Sequence, residues 1–180
     1  MSLPLISCVC PTFGKTLHLN EAVDSFHRQT YPNKELIIFN NYPHMDIVYD
    51  HPDVRVVNYK EDIYSIGACR NEGNKYAKGE YICTWDDDDI SLPNRLKSQL
   101  DGLLYHAHSG NGASKASITN AWYSEGNTIL KRIEKFMSSS LISYPYWESN
   151  QYPLVDNDDQ YMYYKMLHEG KMVYINKEIP

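Results

Sequence analysis

Apolar positions along the chain fall into two alternating rhythms. Short apolar runs at Leu5–Cys10, Glu35–Phe39, Val54–Val57 and Glu80–Trp85 are bounded by Pro, Asn and Gly and predict buried strands. Between the first two, Leu19, Ala22, Val23 and Phe26 recur at i, i+3, i+4 and i+7, with Asn20, Glu21, Asp24, Ser25 and Arg28 on the opposite side. That spacing predicts an amphipathic helix, which Tyr31-Pro32-Asn33 ends. A second helix is predicted over Ile66 to Ala77, with Ile66, Cys69, Gly73, Tyr76 and Ala77 on one stripe. Gly73 lets it lie close to a sheet, and Gly79 suits a left-handed cap. A third helix is predicted with Ser91 as its cap and Pro93 in its first turn, turning Leu92, Leu96, Leu100, Leu103 and Leu104 inward before it runs out near His108.

Beyond a polar loop at Ser109–Ser117, weaker strand patterns cover Ile118–Tyr123 and Phe136–Ile142. A last helix over Asn157–Glu169, closed by Gly170, leads to a final strand at Lys171–Ile175. Strands alternating with helices at this spacing imply an α/β fold, a mainly parallel central sheet flanked by helices with ligands at the carboxyl ends of its strands. No repeat or long linker divides the 180 residues, so residues 1–180 read as a single domain.

Composition narrows the classes of function. With 42% hydrophobic and 22% charged residues the chain can bury a core, which excludes disorder as its main state. A net charge of -6 with scattered Lys and Arg lacks the basic footprint of a nucleic-acid grip. No apolar run reaches the roughly 20 residues of a membrane span, and no basic, then apolar, leader opens the chain. Cys8, Cys10, Cys69 and Cys83 have no C-x-x-C spacing; Cys8 and Cys10 share a strand face, which suits buried thiols better than a disulfide or a zinc site. A cytoplasmic location is the expectation.

The strongest chemical signal is Asp86-Asp87-Asp88-Asp89, at the end of an apolar strand. Clustered carboxylates raise one another's cost of ionisation, so a cation is expected among them. Oxygen ligands suit Mg²⁺ or Mn²⁺, and Mg²⁺ in particular is commonly held by one or two carboxylates plus substrate phosphates. If the chain stays extended there, Asp86 and Asp88 share a face while Asp87 and Asp89 turn away. A solvated turn lending negative charge to the next helix is the alternative, and Asp89 alone suits that role.

The chain resembles the inverting glycosyltransferases of family 2, which have the GT-A fold. The family's pieces occur in order: Ile6 to Thr12, Ala22 to Pro32, Glu35 to Ile38, Gly67 to Asn71 with Gly73, Ala77 to Ile82, Asp86 to Asp89, and Pro93 to Leu96. The resemblance implies a nucleotide-sugar donor, a UDP-sugar first among them, with Pro11 and Thr12 on the wall around the base. Asn40 and Asn41 stand where the family has acids contacting uracil or ribose. An amide donates as well as accepts, so binding survives while base preference changes. Arg70 matches a basic residue near the donor nucleotide. Asp86, Asp87 and Asp88 match the family's D-x-D motif, with Asp88, assisted by Asp86, as ligand of a divalent cation, Mn²⁺ or Mg²⁺.

A second acidic segment, Asp156-Asn157-Asp158-Asp159, resembles the family's Glu-Asp pair at a helix start. This places Asp159 as the catalytic base with Asp158 beside it. The 16 tyrosines are many for this length, and Tyr144, Tyr146, Trp147 and Tyr152, just before the acidic segment, are candidates for the floor under a glycan or other hydroxyl acceptor, with core packing as the alternative. Two other functions stay open: a nucleotide-sugar or glycan-binding module without turnover, and a haloacid-dehalogenase-type phosphatase, whose Asp-x-Asp normally opens the chain. Family members commonly carry acceptor or lid segments beyond the point that matches Pro180, which admits either a compact enzyme or a shortened chain.

Overall fold

The four apolar runs lie side by side as β1 (Ile6–Thr12), β2 (Lys34–Asn40), β3 (Val54–Asn58) and β4 (Tyr81–Thr84), all parallel, in the order β3-β2-β1-β4. The computed structural model describes residues 2–14, 17–108, 116–125, 128–154, 165 and 172–174. The sheet continues antiparallel to β4 with β6 (Thr128–Ser143), then β5 (Ala116–Glu125), with β7 (Met172–Tyr174) parallel to β5 at the far edge. The predicted α/β class with a mainly parallel centre holds, and the later strands are longer than their weak patterns implied.

Alternation along each strand distributes the core to both faces. Cys8, Cys10, Leu36, Ile38, Cys83 and Trp85 pack with Leu19, Val23 and Phe26 of α1 (Leu19–His27) and with Leu96 and Leu100 of α3 (Arg95–His108). Val9, Ile37 and Ile82 face the other way, onto a cluster with Ile142, Trp147 and Tyr152. On that second face lies α2 (Ile66–Asn74), where a β-carbon added at Gly73 would meet Val9 Cγ1 at 2.9 Å and Phe39 Cβ at 3.2 Å. The predicted close approach is therefore real. All four cysteines are buried free thiols, as their spacing implied.

Three local expectations are corrected. Gly79 is not a left-handed cap, since among the described glycines only Gly14 has positive φ. Gly79 is needed for space instead, because a β-carbon there would lie 2.6 Å from Leu5 O and 2.8 Å from Ser7 N. Nor does Ser91 cap α3. The amide of Gln29 reaches across from the end of α1, donating to Leu92 O at 2.7 Å while its Oε1 accepts Leu96 N at 3.2 Å. That long-range cap moves the helix start to Arg95 and leaves Leu92, expected inside, 44% exposed. Finally, α4 (Tyr144–Ser149), with Pro at its start and Trp147 buried, occupies a stretch where no helix was predicted. Of the helix expected over 157–169, only Lys165 is among the described residues, and it is helical there.

Candidate active site

The site is built where the carboxyl ends of β1, β2 and β4 meet the start of α2. β1 ends at Thr12, and the chain turns at Gly14 with φ 80°, a left-handed conformation that favours glycine. The Thr12 hydroxyl lies 2.5 Å from Asp87 Oδ2 and 2.7 Å from Gly14 O, so its single proton serves one acceptor at a time. Beside this turn Phe13 projects into solvent, 64% exposed, with its ring 4.7 Å from that of Tyr42. Pro11 is buried in β1 itself.

Asn40 and Asn41, at the end of β2, are both buried. Asn40 Oδ1 accepts from Gly14 N at 3.0 Å and Tyr42 N at 3.2 Å, and its Nδ2 donates to Met45 O and Asn58 Oδ1 at 2.7 and 2.9 Å. The amide thus ties the β1 turn to the loop after β2, with both of its ends engaged by protein. Asn41 Nδ2 lies 3.0 Å from Cys69 Sγ and 3.4 Å from Ile63 O, holding the loop that leads to α2.

The acidic run does not continue the strand. β4 ends at Thr84, and Asp89 N approaches Asp86 O at 3.4 Å across a turn, so the expected alternation of faces is replaced by four separate environments. Asp86 turns inward to Arg70, whose Nη2 lies 3.2 and 3.4 Å from its two carboxylate oxygens. Asp87 meets Thr12, and Asp88 faces solvent. Burial, then the charges of Asp86 and Asp88, push the Asp89 carboxyl up to about 6. Arg95 opposes that rise. Its guanidinium lies over the Trp85 ring at 4.9 Å and donates to Thr84 O and Ser91 Oγ, both at 2.7 Å, pinning the base of the turn.

Among the described residues no three His, Cys, Asp or Glu side chains form a metal-binding group by themselves. The donor set nevertheless fits a hard divalent cation completed by phosphate oxygens: it is all carboxylate, Asp88 is open to solvent, and the negative charge is dense enough to raise a neighbour.

Arg70 is almost wholly buried on α2 and lies over the ring of Tyr152 at 5.8 Å. Trp147 and Tyr152 belong to the second core cluster, while Tyr144 and Tyr146 are half-buried against it. The structure therefore brings together Thr12, Arg70, Asp86, Asp87 and Asp88, with Asp89 among them. Asp158 and Asp159 lie outside the described residues. Phe13 and Tyr42 carry no periodic or motif signal of their own, though Phe13 directly follows the expected wall at Pro11 and Thr12; Arg95 lies within the Pro93 to Leu96 piece and Tyr152 within the aromatic group before the acidic segment, but neither was expected at the donor edge.

Residues 7–149 match the family described as Glycosyl transferase family 2. The UDP-Glc:α-D-GlcNAc-diphosphoundecaprenol β-1,3-glucosyltransferase WfgD of Escherichia coli is 24% identical over 199 residues, covering 96% of this chain and 73% of that protein. A glycosyltransferase of Rickettsia typhi is 33% identical over 103 residues, which span 56% of this chain and only 32% of the relative. Among solved structures, residues 1–349 of Staphylococcus aureus TarS with UDP superpose with a TM-score of 0.74 at 15% identity, over 97% of this chain and 58% of that one. The Pyrobaculum calidifontis mannosyltransferase PcManGT, in complex with GDP-Man and Mn²⁺, gives 0.67 at 16% identity, over 98% and 57%. No helix among the described residues is long and apolar enough to cross a membrane.

Proposed function

The chain belongs to glycosyl transferase family 2 and has the GT-A fold, and from that premise we propose that it moves a sugar from a nucleotide-sugar donor to an acceptor hydroxyl, with inversion at the anomeric carbon. The observation that carries this reading is the convergence of Thr12, Arg70 and Asp86 to Asp89 at the carboxyl ends of parallel strands, where α/β folds bind ligands.

Arg70 offers a planar, permanently charged fork to the donor's diphosphate, and Asp86 fixes the direction of that fork. The exposed ring of Phe13, braced by Tyr42, gives the base an aromatic face to lie on. Because the amide of Asn40 is engaged within the protein, base choice depends more on this face and on the backbone than on an acidic pair. Asp88, with Asp86 beside it, would hold a divalent cation together with the diphosphate. That cation supplies positive charge where the leaving group gathers negative charge.

On the acceptor side the resemblance assigns Asp159 to take the proton of the attacking hydroxyl, with Asp158 next to it. Tyr144 and Tyr146 remain candidates for contact with the acceptor, whereas the ring of Trp147 is taken up by the core. The donors named for the relatives, UDP and GDP sugars, set the panel to try. With Mn²⁺ or Mg²⁺, the purified chain is expected to transfer or slowly hydrolyse one of them, and Asp159→Asn to abolish transfer while leaving donor binding in place. Donor binding without any product would favour a binding module instead, and phosphate release from simple phosphomonoesters would favour a phosphatase.

A further inference from the structure

The Arg70–Asp86 ion pair stands at the donor edge, but what keeps it there comes from a distant part of the chain. Asn71, next to Arg70 on α2, grips the backbone of Tyr152 with both ends of its amide. Nδ2 donates to Tyr152 O at 2.7 Å, and Tyr152 N donates to Oδ1 at 2.8 Å. These are the two bonds that a neighbouring strand would supply, so Tyr152 is docked on α2 as though paired in a sheet. The indole N–H of Trp147 approaches the same Oδ1 at 3.4 Å.

Once docked, Tyr152 is 4% exposed and reaches the Arg70 guanidinium with its ring and the end of β4 with its hydroxyl. Its ring lies under the Arg70 guanidinium, 5.8 Å from it. Its hydroxyl lies 3.3 Å from Thr84 Oγ1, which is 3.0 Å from Ser140 Oγ. Thr84 closes β4 two residues before Asp86, so one contact steadies the cation and the other steadies the strand end that leads to the carboxylate. A buried aromatic ring within about 6 Å attracts a guanidinium and limits the rotamers of its long side chain.

We propose that Tyr152, clipped in place by Asn71, is a positioning residue that orients Arg70 and Asp86 for the donor diphosphate; this rests on the donor-binding reading above. In this role Asn71 and Tyr152 act through Arg70 and the end of β4, the groups they contact.

The test compares Tyr152→Leu, Tyr152→Phe and Asn71→Ala. Calorimetric binding of uridine and guanosine diphosphate with Mn²⁺ is measured on each, along with donor KM and kcat. Tyr152→Leu is expected to weaken diphosphate binding by about 5–20-fold, with donor KM rising in step and kcat moving less. Tyr152→Phe keeps the ring and is expected to restore binding to within about threefold of wild type, with Asn71→Ala in between. Equal affinity in the folded fraction of all three variants, whatever their melting temperatures, overturns the proposal. If Tyr152→Leu fails to fold, the order of the other two decides.

Absence of diphosphate binding in the wild type would defeat the donor reading rather than this one. The positioning is then read from the ¹⁵N resonances of the Arg70 guanidinium. Restricted rotation in wild type and Tyr152→Phe, with averaging in Asn71→Ala, supports the clip, and indistinguishable spectra refute it.

Discussion

The two ends of the same parallel strands are built in opposite ways. At the amino ends polar groups answer one another. Ser7 Oγ donates to Glu35 Oε1 at 2.6 Å and accepts Gly79 N at 2.8 Å, and the same Glu35 oxygen accepts Lys78 N at 2.9 Å. Tyr31 and Asn33 bind the carbonyls of Pro4 and Leu3. The chain crosses this edge so tightly that only glycine fits at position 79. At the carboxyl ends, by contrast, four aspartates share one turn, one of them pushed up to about 6, with Arg70 and Arg95 as the nearby cations. Strands buried on both faces can present chemistry only at their ends. Here one end is closed by hydrogen bonds, and the other gathers four carboxylates against two guanidinium groups, which leaves net negative charge in the turn.

The difference can be broken most sharply at Asp88. Asp88→Asn is expected to lower transfer by about 100-fold or more through loss of the cation and diphosphate hold, with the melting temperature unchanged or raised. Initial rates at saturating donor and a thermal melt check it, and a loss of stability with activity kept would erase the distinction between the ends. The converse substitution is Gly79→Ala at the sealed end. Its β-carbon must displace backbone, so a loss of about 1–3 kcal/mol is expected in denaturant unfolding, with diphosphate affinity of the folded fraction within about twofold of wild type.

The two ends also differ in the sign of their response to pH. Asp89 has a folded pKa of about 6, above its ordinary 3.8, so the native state holds that proton more tightly than the unfolded chain. Its contribution is present in full below about pH 3.8 and is lost as pH rises through 6. In metal-free protein, Asp89→Asn is therefore expected to raise the melting temperature by about 2–4 °C above pH 6 and to make no difference near pH 3.5.

His27 belongs to the other end and carries the opposite sign. Burial, and then the charge of His51, whose tilted ring lies 4.2 Å away, hold its pKa below the ordinary 6.5, against the pull of Asp24 and Asp53. The neutral ring's contribution is present above pH 6.5 and is lost as pH falls through the depressed value. His27→Gln is expected to flatten that acid loss by about 1–2 °C in melts taken between pH 7 and 5, the smallest of these effects.

Much of this was legible in the chain itself, because its period and order are local properties. Ile37 between Leu36 and Ile38, or Ala22 and Phe26 about a turn apart, report their faces through nearest neighbours. The ordered pieces from Pro11-Thr12 to Asp86–Asp89 report the family for the same reason. What was not legible came from groups that meet across the fold. Gly79 after a helix reads as a cap, and only the position of Leu5 O shows the close crossing. Ser91 reads as a cap until Gln29 arrives from another helix to cap Leu96 N. Likewise Asp86 and Asp88 read as a pair on one face until the chain leaves the strand at Thr84, and no spacing rule joins Asn71 to Tyr152.

The central claim is that the acid-bearing carboxyl edge holds a nucleoside diphosphate together with a divalent cation. Calorimetric titration of wild type and Asp88→Asn with uridine and guanosine diphosphate, each with and without Mn²⁺, tests it most directly. The expected result is saturable binding of at least one diphosphate that Mn²⁺ strengthens and that Asp88→Asn weakens by about tenfold or more. Binding indifferent to both the metal and Asp88, or no binding by the folded wild type, would contradict it.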